Sequence, residues 1–196
     1  GLVTKSSLIE RDLDLVAAMA LLDLASVSIS ITSLDPKLAR ILEPRAASPQ
    51  RRLRTVRALA DAGVPVRVNV APVIPFVNEP EIEAIIDAAA QAGARNAHYT
   101  VVRLPWEVSP LFEEWLRTHF PDRARRVMNR IREMRGGKNY DASFGRRMTG
   151  DGTWARLIEQ RFRRASARHG FSDGGPSLRT DLFVPPRLPT RQMDLF

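Results

Sequence analysis

Val27-Ser28-Ile29-Ser30-Ile31-Thr32 leads to Ser48-Pro49 and then to Val64 through Val73, and this stretch decides the fold. The first segment alternates β-branched residues with hydroxyl side chains, the period-2 pattern of a strand. Ser48 can cap the four unsatisfied N–H groups of a helix start, and Pro49 fits its first turn because no N–H is needed there. Leu53, Val56, Leu59 and Ala60 then recur at helical spacing, and Gly63 supplies a C-terminal cap. Residues 64–73 form a second apolar, β-branched run, so the unit is strand, helix, strand with short connections.

The same unit extends in both directions. Gly1 to Lys5 reads as a short strand, followed by a helix from Asp12 to Leu22 with Leu13, Leu15, Val16, Met19, Ala20 and Leu22 as its apolar stripe. Glu79 to Ala92 reads as a helix with Ile82, Ile85, Ile86 and Ala89 inward, and residues 97–104 as a fourth strand closed by Pro105. Strands alternating with helices imply a parallel α/β sheet with right-handed crossovers. A barrel and an open sheet are both consistent with that pattern. Beyond Pro105 the period changes. Ser109-Pro110 opens a helical stretch to about Arg135, broken or kinked near Pro121 and ended by Gly136-Gly137. Trp154 to His169 is a further, basic helix, and from Gly170 onward the chain lacks periodicity and reads as an extended or disordered tail.

Composition narrows the functional classes. Thirty Lys+Arg against 22 Asp+Glu give a formal charge of +8 over 196 residues, which favours polyanionic partners such as nucleic acid. An arginine-rich composition from a high-GC genome explains the same excess, since Lys5, Lys37 and Lys138 are the lysines of the chain. Cysteine is absent, so this chain holds no disulfide and no thiolate-ligated cluster or zinc. No apolar run reaches the length of a membrane span. With Gly1 first and no signal-like segment, a cytoplasmic fragment starting mid-protein is expected.

Parallel α/β proteins bind ligands at the carboxyl ends of their strands. Here those ends hold Lys5 and Ser6; Ser30 and Thr32; Val73, Ile74 and Pro75; and Arg103. Hydroxyls, two cations and an apolar shelf suit an adenosine-like ligand, although strand-end Ser and Thr also serve as helix caps. His98, His119 and His169 are too far apart in sequence to suggest a metal site. Trp106, Trp115 and Trp154 fit either base stacking or core sealing. Arg123, Arg125, Arg126, Arg130, Arg132 and Arg135 give one helix a basic face, and Arg161, Arg163, Arg164 and Arg168 give the next another. Solvated helices and phosphate contacts are the two readings of those faces.

Several stretches resemble one branch of the radical S-adenosylmethionine family, that related to spore photoproduct lyase. They are Gly1 to Ser6, Val27 to Asp35, Leu42-Glu43-Pro44-Arg45-Ala46-Ala47-Ser48-Pro49, Ala71 to Pro75, Tyr99 to Pro105 and Arg135-Gly136-Gly137, with residues 43–49 the most specific. The resemblance implies a partial parallel (β/α) barrel of six strands, of which this chain would supply strands three to six. It implies S-adenosylmethionine and a [4Fe–4S] cluster as cofactors of the intact protein, generating a 5′-deoxyadenosyl radical. The three cluster cysteines would precede Gly1, so this chain alone is expected to be inactive. Ser30 and Thr32 would contact the ribose or methionyl group. Val73, Ile74 and Pro75 would pack on adenine, Arg103 with its neighbours would lie near the adenine edge, and Lys5 and Ser6 would face the same mouth. Glu43 and Arg45 would form either a structural ion pair or part of the site. The organisation expected is a partial barrel over 1–137, a basic helical extension over 138–169 and a tail over 170–196.

The chain ends in Gln192-Met193-Asp194-Leu195-Phe196, which resembles the pentapeptide by which bacterial repair proteins and polymerases dock on the sliding clamp. The implied partners are therefore DNA and a sliding clamp. Two other classes stay open: a DNA- or clamp-binding protein without chemistry, and a non-radical barrel enzyme such as an aldolase, for which Lys5 would be the catalytic lysine.

Overall fold

The structure, a computed structural model, describes residues 1–171 and 174–185. Four strands, β1 (Leu2–Thr4), β2 (Val27–Ser30), β3 (Val66–Val73) and β4 (Asn96–Val101), form one sheet in the order β1-β2-β3-β4, every pair parallel. The helices among the described residues are α1 (Leu13–Ala20), α2 (Pro36–Leu42), α3 (Pro49–Asp61), α4 (Ile82–Gln91), α5 (Val108–His119), α6 (Ala124–Glu133) and α7 (Gly152–Arg168). A sequential strand order with right-handed crossovers sends every connecting helix to the same side of the sheet. That is the arrangement of a barrel wall rather than of a doubly wound sheet, and closure is not seen in these four strands.

The two sheet faces differ as that arrangement requires. Val27, Ile29, Val66, Val68, Val70 and Val101 are buried against the helical layer, where Val56, Leu59, Ile82, Ile85, Ile86 and Ala89 meet them. The opposite face carries Ser28, Ser30, Arg67, Asn69, Ala71 and Thr100. A parallel sheet is ordinarily apolar on both faces, so this polar alternation sets the uncovered face apart from the helix-covered one.

Local signals account for the helix starts. Ser48 accepts from the Arg51 N–H at 3.3 Å and Pro49 opens α3, as expected. α2 has the same signature, since Asp35 accepts from the Lys37 N–H at 2.8 Å and Pro36 follows. Sequence reading passed over α2 because it has only 7 residues, less than two full turns. The helical stretch after Pro105 is two helices, not one kinked helix. α5 ends at His119 and α6 begins at Ala124, with Pro121 in the intervening turn, where its missing N–H and fixed φ break the ladder.

Two expectations need correction. The fourth strand stops at Val101 rather than 104, because the ladder shifts register between Val70 and Val73, where Pro72 has no N–H to donate. One further bond, Val102 N–H to the Val73 carbonyl at 2.9 Å, ends the pairing. In α1 and the turn that follows it, Val16 and Ala20 are buried, whereas Leu15, Met19 and Leu22 are exposed. No strand or helix among the described residues covers them.

Candidate ligand cavity at the strand ends

The carboxyl ends of the strands converge on a cavity of about 480 Å³, within the usual range for a small-molecule site. Lys5, Ser30, Ile74 and Arg103 line it, together with Ala71, Thr100, Val102, Leu104 and Phe112. Ser6, Thr32, Val73 and Pro75 do not. Ser6 caps the 3-10 turn at Ser7–Asp12, its hydroxyl accepting from the Leu8 N–H at 3.1 Å. Thr32 is buried with its hydroxyl committed at 3.0 Å to Glu43 Oε1. Val73 pairs with Val101 and is enclosed, and Pro75 is buried beside it.

Glu43 organises one side of the cavity. It accepts from Lys5 Nζ at 2.5 Å through Oε1 and from Arg52 Nη2 at 2.5 Å through Oε2. Arg52, itself buried, also donates to the Ser30 carbonyl at 2.9 Å and to the Ala47 carbonyl at 2.8 Å. Of the two readings of Glu43 and Arg45, an ion pair or part of the site, the ion pair forms with other partners. Arg45 is exposed and makes no ion pair among the described residues, while Arg52, one turn into α3, reaches back to the strand end. Burial alone would raise the Glu43 carboxyl, but hydrogen bonds from Lys5 and Arg52 outweigh it and hold the group below the usual carboxylate range.

Asn78 fixes the other side. Its amide donates to the carbonyls of Thr32 at 2.7 Å and Pro72 at 2.8 Å, and its oxygen accepts from the Ile74 N–H at 2.7 Å. One buried side chain thus ties the end of β2 to both sides of the bend that places Ile74 in the wall. Glu81 closes the adjoining turn, accepting from the Ser33 hydroxyl at 2.8 Å and the Leu34 N–H at 2.7 Å. Sequence reading missed both residues. They follow β3 by only a few positions, but their partners lie 46–48 residues earlier in the chain, a distance no local pattern reveals.

The two cations of the cavity are not equivalent. Lys5 is neutralised by Glu43. Arg103 has no ion pair among the described residues. Its Nη2 donates to the Tyr140 hydroxyl at 3.1 Å and its guanidinium lies 5.8 Å from that ring, while its Nε is buried without an acceptor. A cavity-lining guanidinium without a carboxylate partner can hold an anionic group. Ser30 is also available, since its hydroxyl makes no hydrogen bond among the described residues. The segment carrying Tyr140 is held in place by the Val101 N–H donating to the Met148 carbonyl at 2.8 Å and by Arg135, which bridges the Val102 and Arg146 carbonyls. Trp106, just past Leu104-Pro105, is 84% exposed with φ of 40° rather than sealing a core.

Residues 1–89 match the family model of the Radical SAM superfamily. That segment runs from β1 through most of α4 and holds Lys5, Ser30, Glu43, Arg52 and Asn78. The chain is also 31% identical over 136 residues to an uncharacterized protein of Mycobacterium tuberculosis, covering 68% of this chain and 39% of that protein. It is 40% identical over 72 residues to the uncharacterized protein ORF301 of Acidianus two-tailed virus, covering 37% of this chain and 23% of that protein. The matched region thus spans about two fifths of the mycobacterial relative's length. A radical SAM domain implies S-adenosylmethionine and a [4Fe–4S] cluster. The chain has no cysteine, and the described residues contain no group of three His, Asp or Glu that would hold a metal, so the cluster's ligands are not among them. No helix among the described residues is long and apolar enough to cross a membrane.

Proposed function

We propose that this chain is the later part of a radical S-adenosylmethionine enzyme acting on DNA, in the manner of spore photoproduct lyase. The carrying observation is the strand-end cavity with Arg103 on its wall, free of any ion pair among the described residues, in a chain whose first 89 residues match the Radical SAM superfamily. The donor set fits S-adenosylmethionine. Arg103 would bind its carboxylate, the Ser30 hydroxyl its ribose or methionyl group, and Ile74, Val102 and Leu104 its adenine. Lys5 would keep its place through Glu43, and Phe112 would exclude water from the apolar end. In such enzymes the cluster supplies the one-electron cleavage of the bound cofactor; here its ligands are assigned to sequence preceding β1. The position of β1 at an open edge of the sheet supports that placement.

The test is anaerobic reconstitution of the full-length protein, followed by 5′-deoxyadenosine formation. Cleavage is expected, and Arg103→Ala should weaken S-adenosylmethionine binding about 10- to 100-fold, the value of a hydrogen bond to a charged group. A full-length protein that forms no iron–sulfur absorbance and binds no S-adenosylmethionine would leave a DNA- or clamp-binding protein without chemistry.

The pentapeptide Gln192-Met193-Asp194-Leu195-Phe196 lies outside the described residues. It is proposed as a sliding-clamp ligand on its composition, with Met193, Leu195 and Phe196 entering an apolar groove and Gln192 setting register. A labelled peptide should bind the clamp at roughly micromolar affinity. Replacing Leu195 and Phe196 by Ala should abolish binding, because buried anchors dominate small interfaces. Equal binding by the double variant would discard this partner.

A further inference from the structure

Between α6 and the turn after β3, arginines are stacked on a pair of aromatic rings. The Arg126 guanidinium lies 3.9 Å from the centre of the Phe76 ring, and that of Arg130 lies 4.3 Å from Trp154. The two rings are 5.1 Å apart. Arg123 donates to the Phe76 carbonyl at 2.8 Å, so three arginines of one helix and its N-terminal turn gather around this ring pair. Phe76 holds φ of 61°, a left-handed backbone that bulky residues rarely adopt. Such conformations persist where the surroundings impose them and concentrate at functional sites. A groove of about 330 Å³ lies alongside, lined by Arg125, Arg126, Asn129, Arg130 and Glu133. Glu133 pairs with Arg130. Arg125 and Arg126 are exposed and make no ion pair among the described residues.

A solvated basic helix does not need this construction. Stacking consumes the flat face of the Arg126 guanidinium and leaves its N–H edge, which has no ion pair among the described residues, in a fixed orientation that suits a phosphate. Phe76 follows Ile74, a wall residue of the cavity, by two positions, so the arginines lie at the same end of the sheet as the cavity. We propose that Arg126, held flat on Phe76, and the adjacent exposed Arg125 form a track for the phosphodiester backbone of DNA that leads it to the strand-end cavity, with Arg130, stacked on Trp154 and paired with Glu133, bracing its side. The formal charge of +8 complements such a ligand. This deepens the DNA part of the reading above and is independent of its chemistry, so S-adenosylmethionine cleavage and backbone binding can fail separately.

The experiment is fluorescence anisotropy of labelled 20-nucleotide single- and double-stranded DNA with the full-length protein over a salt series. Arg125→Ala/Arg126→Ala should lower the slope of log affinity against log salt by about two, one for each phosphate no longer neutralised. Phe76→Leu keeps every charge and should weaken binding several-fold with the slope nearly unchanged, a result that charge alone would not produce. Arg54→Ala removes an exposed arginine from α3 and should leave both quantities as they were. Circular dichroism and thermal melts of each variant separate misfolding from a direct effect on DNA binding. The track is refuted if the double variant keeps the wild-type slope, if Arg54→Ala lowers it equally, or if phosphatidylserine vesicles displace DNA at equal phosphate concentration.

Discussion

Replacing Glu43 by Ala is expected to cost about 3–5 kcal/mol of stability, the loss found when one partner of a buried ion pair is removed. Arg52 is 3% exposed and would keep its charge with no counterion, and Thr32 would keep only the Ala71 carbonyl as acceptor. The Lys5 bond adds less, because Lys5 is 44% exposed and water takes the place of the carboxylate. Urea unfolding measures the change, and a loss below about 1 kcal/mol would place this network with ordinary surface pairs. Combining Glu43→Ala with Arg52→Ala should cost less than the sum of the two, since the second change removes the charge that the first strands. The pH dependence has a definite sign. The Glu43 carboxyl is held below its ordinary value of 4.5 in the folded protein, so its contribution is fully present above that value. It is lost as pH falls from about 4.5 through the lower folded value, and acid unfolding of the Glu43→Gln variant should lack that component.

Filling the cavity should abolish ligand binding while leaving the fold intact. Thr100 lies on the polar face of β4 and lines the cavity without being fully buried. Thr100→Trp would place an indole in a space of about 480 Å³ without disturbing the apolar layer on the other side of the sheet. S-adenosylmethionine affinity of the reconstituted full-length protein should fall at least tenfold, about 1.4 kcal/mol, with the melting temperature little changed. Thr100→Val removes the hydroxyl at nearly constant volume and should bind as the wild type does. Equal affinity in the Trp variant, measured by equilibrium dialysis, would show that the ligand sits elsewhere.

The alternation of Val27, Ile29 and Ile31 with Ser28, Ser30 and Thr32 was enough to make β2 a strand with one polar face. Ser48-Pro49 and Gly63 bounded α3 in the same way, because caps and period-2 patterns are local physics carried by adjacent residues. From those elements the parallel α/β class follows, as does the collection of Lys5, Ser30, Ile74 and Arg103 at one end of the sheet, whereas the sequential strand order is seen only in the structure. Which of the hydroxyls faces the cavity did not follow. Thr32 lies two residues beyond Ser30 and shares its face of the strand, yet it is withdrawn beneath Glu43, which approaches from the α2–α3 connection. The choice of Arg52 over Arg45 as partner of Glu43 was equally out of reach, since it depends on how α3 lies against β2. The difference between a neutralised Lys5 and an unpaired Arg103 likewise rests on contacts 38 and 37 residues apart, with Glu43 and Tyr140 respectively. Local residue patterns determined the wall and the end at which a ligand would bind. Only the tertiary structure decided which polar groups remain free to hold one, because hydrogen bonds and ion pairs within the protein compete for the same donors and acceptors.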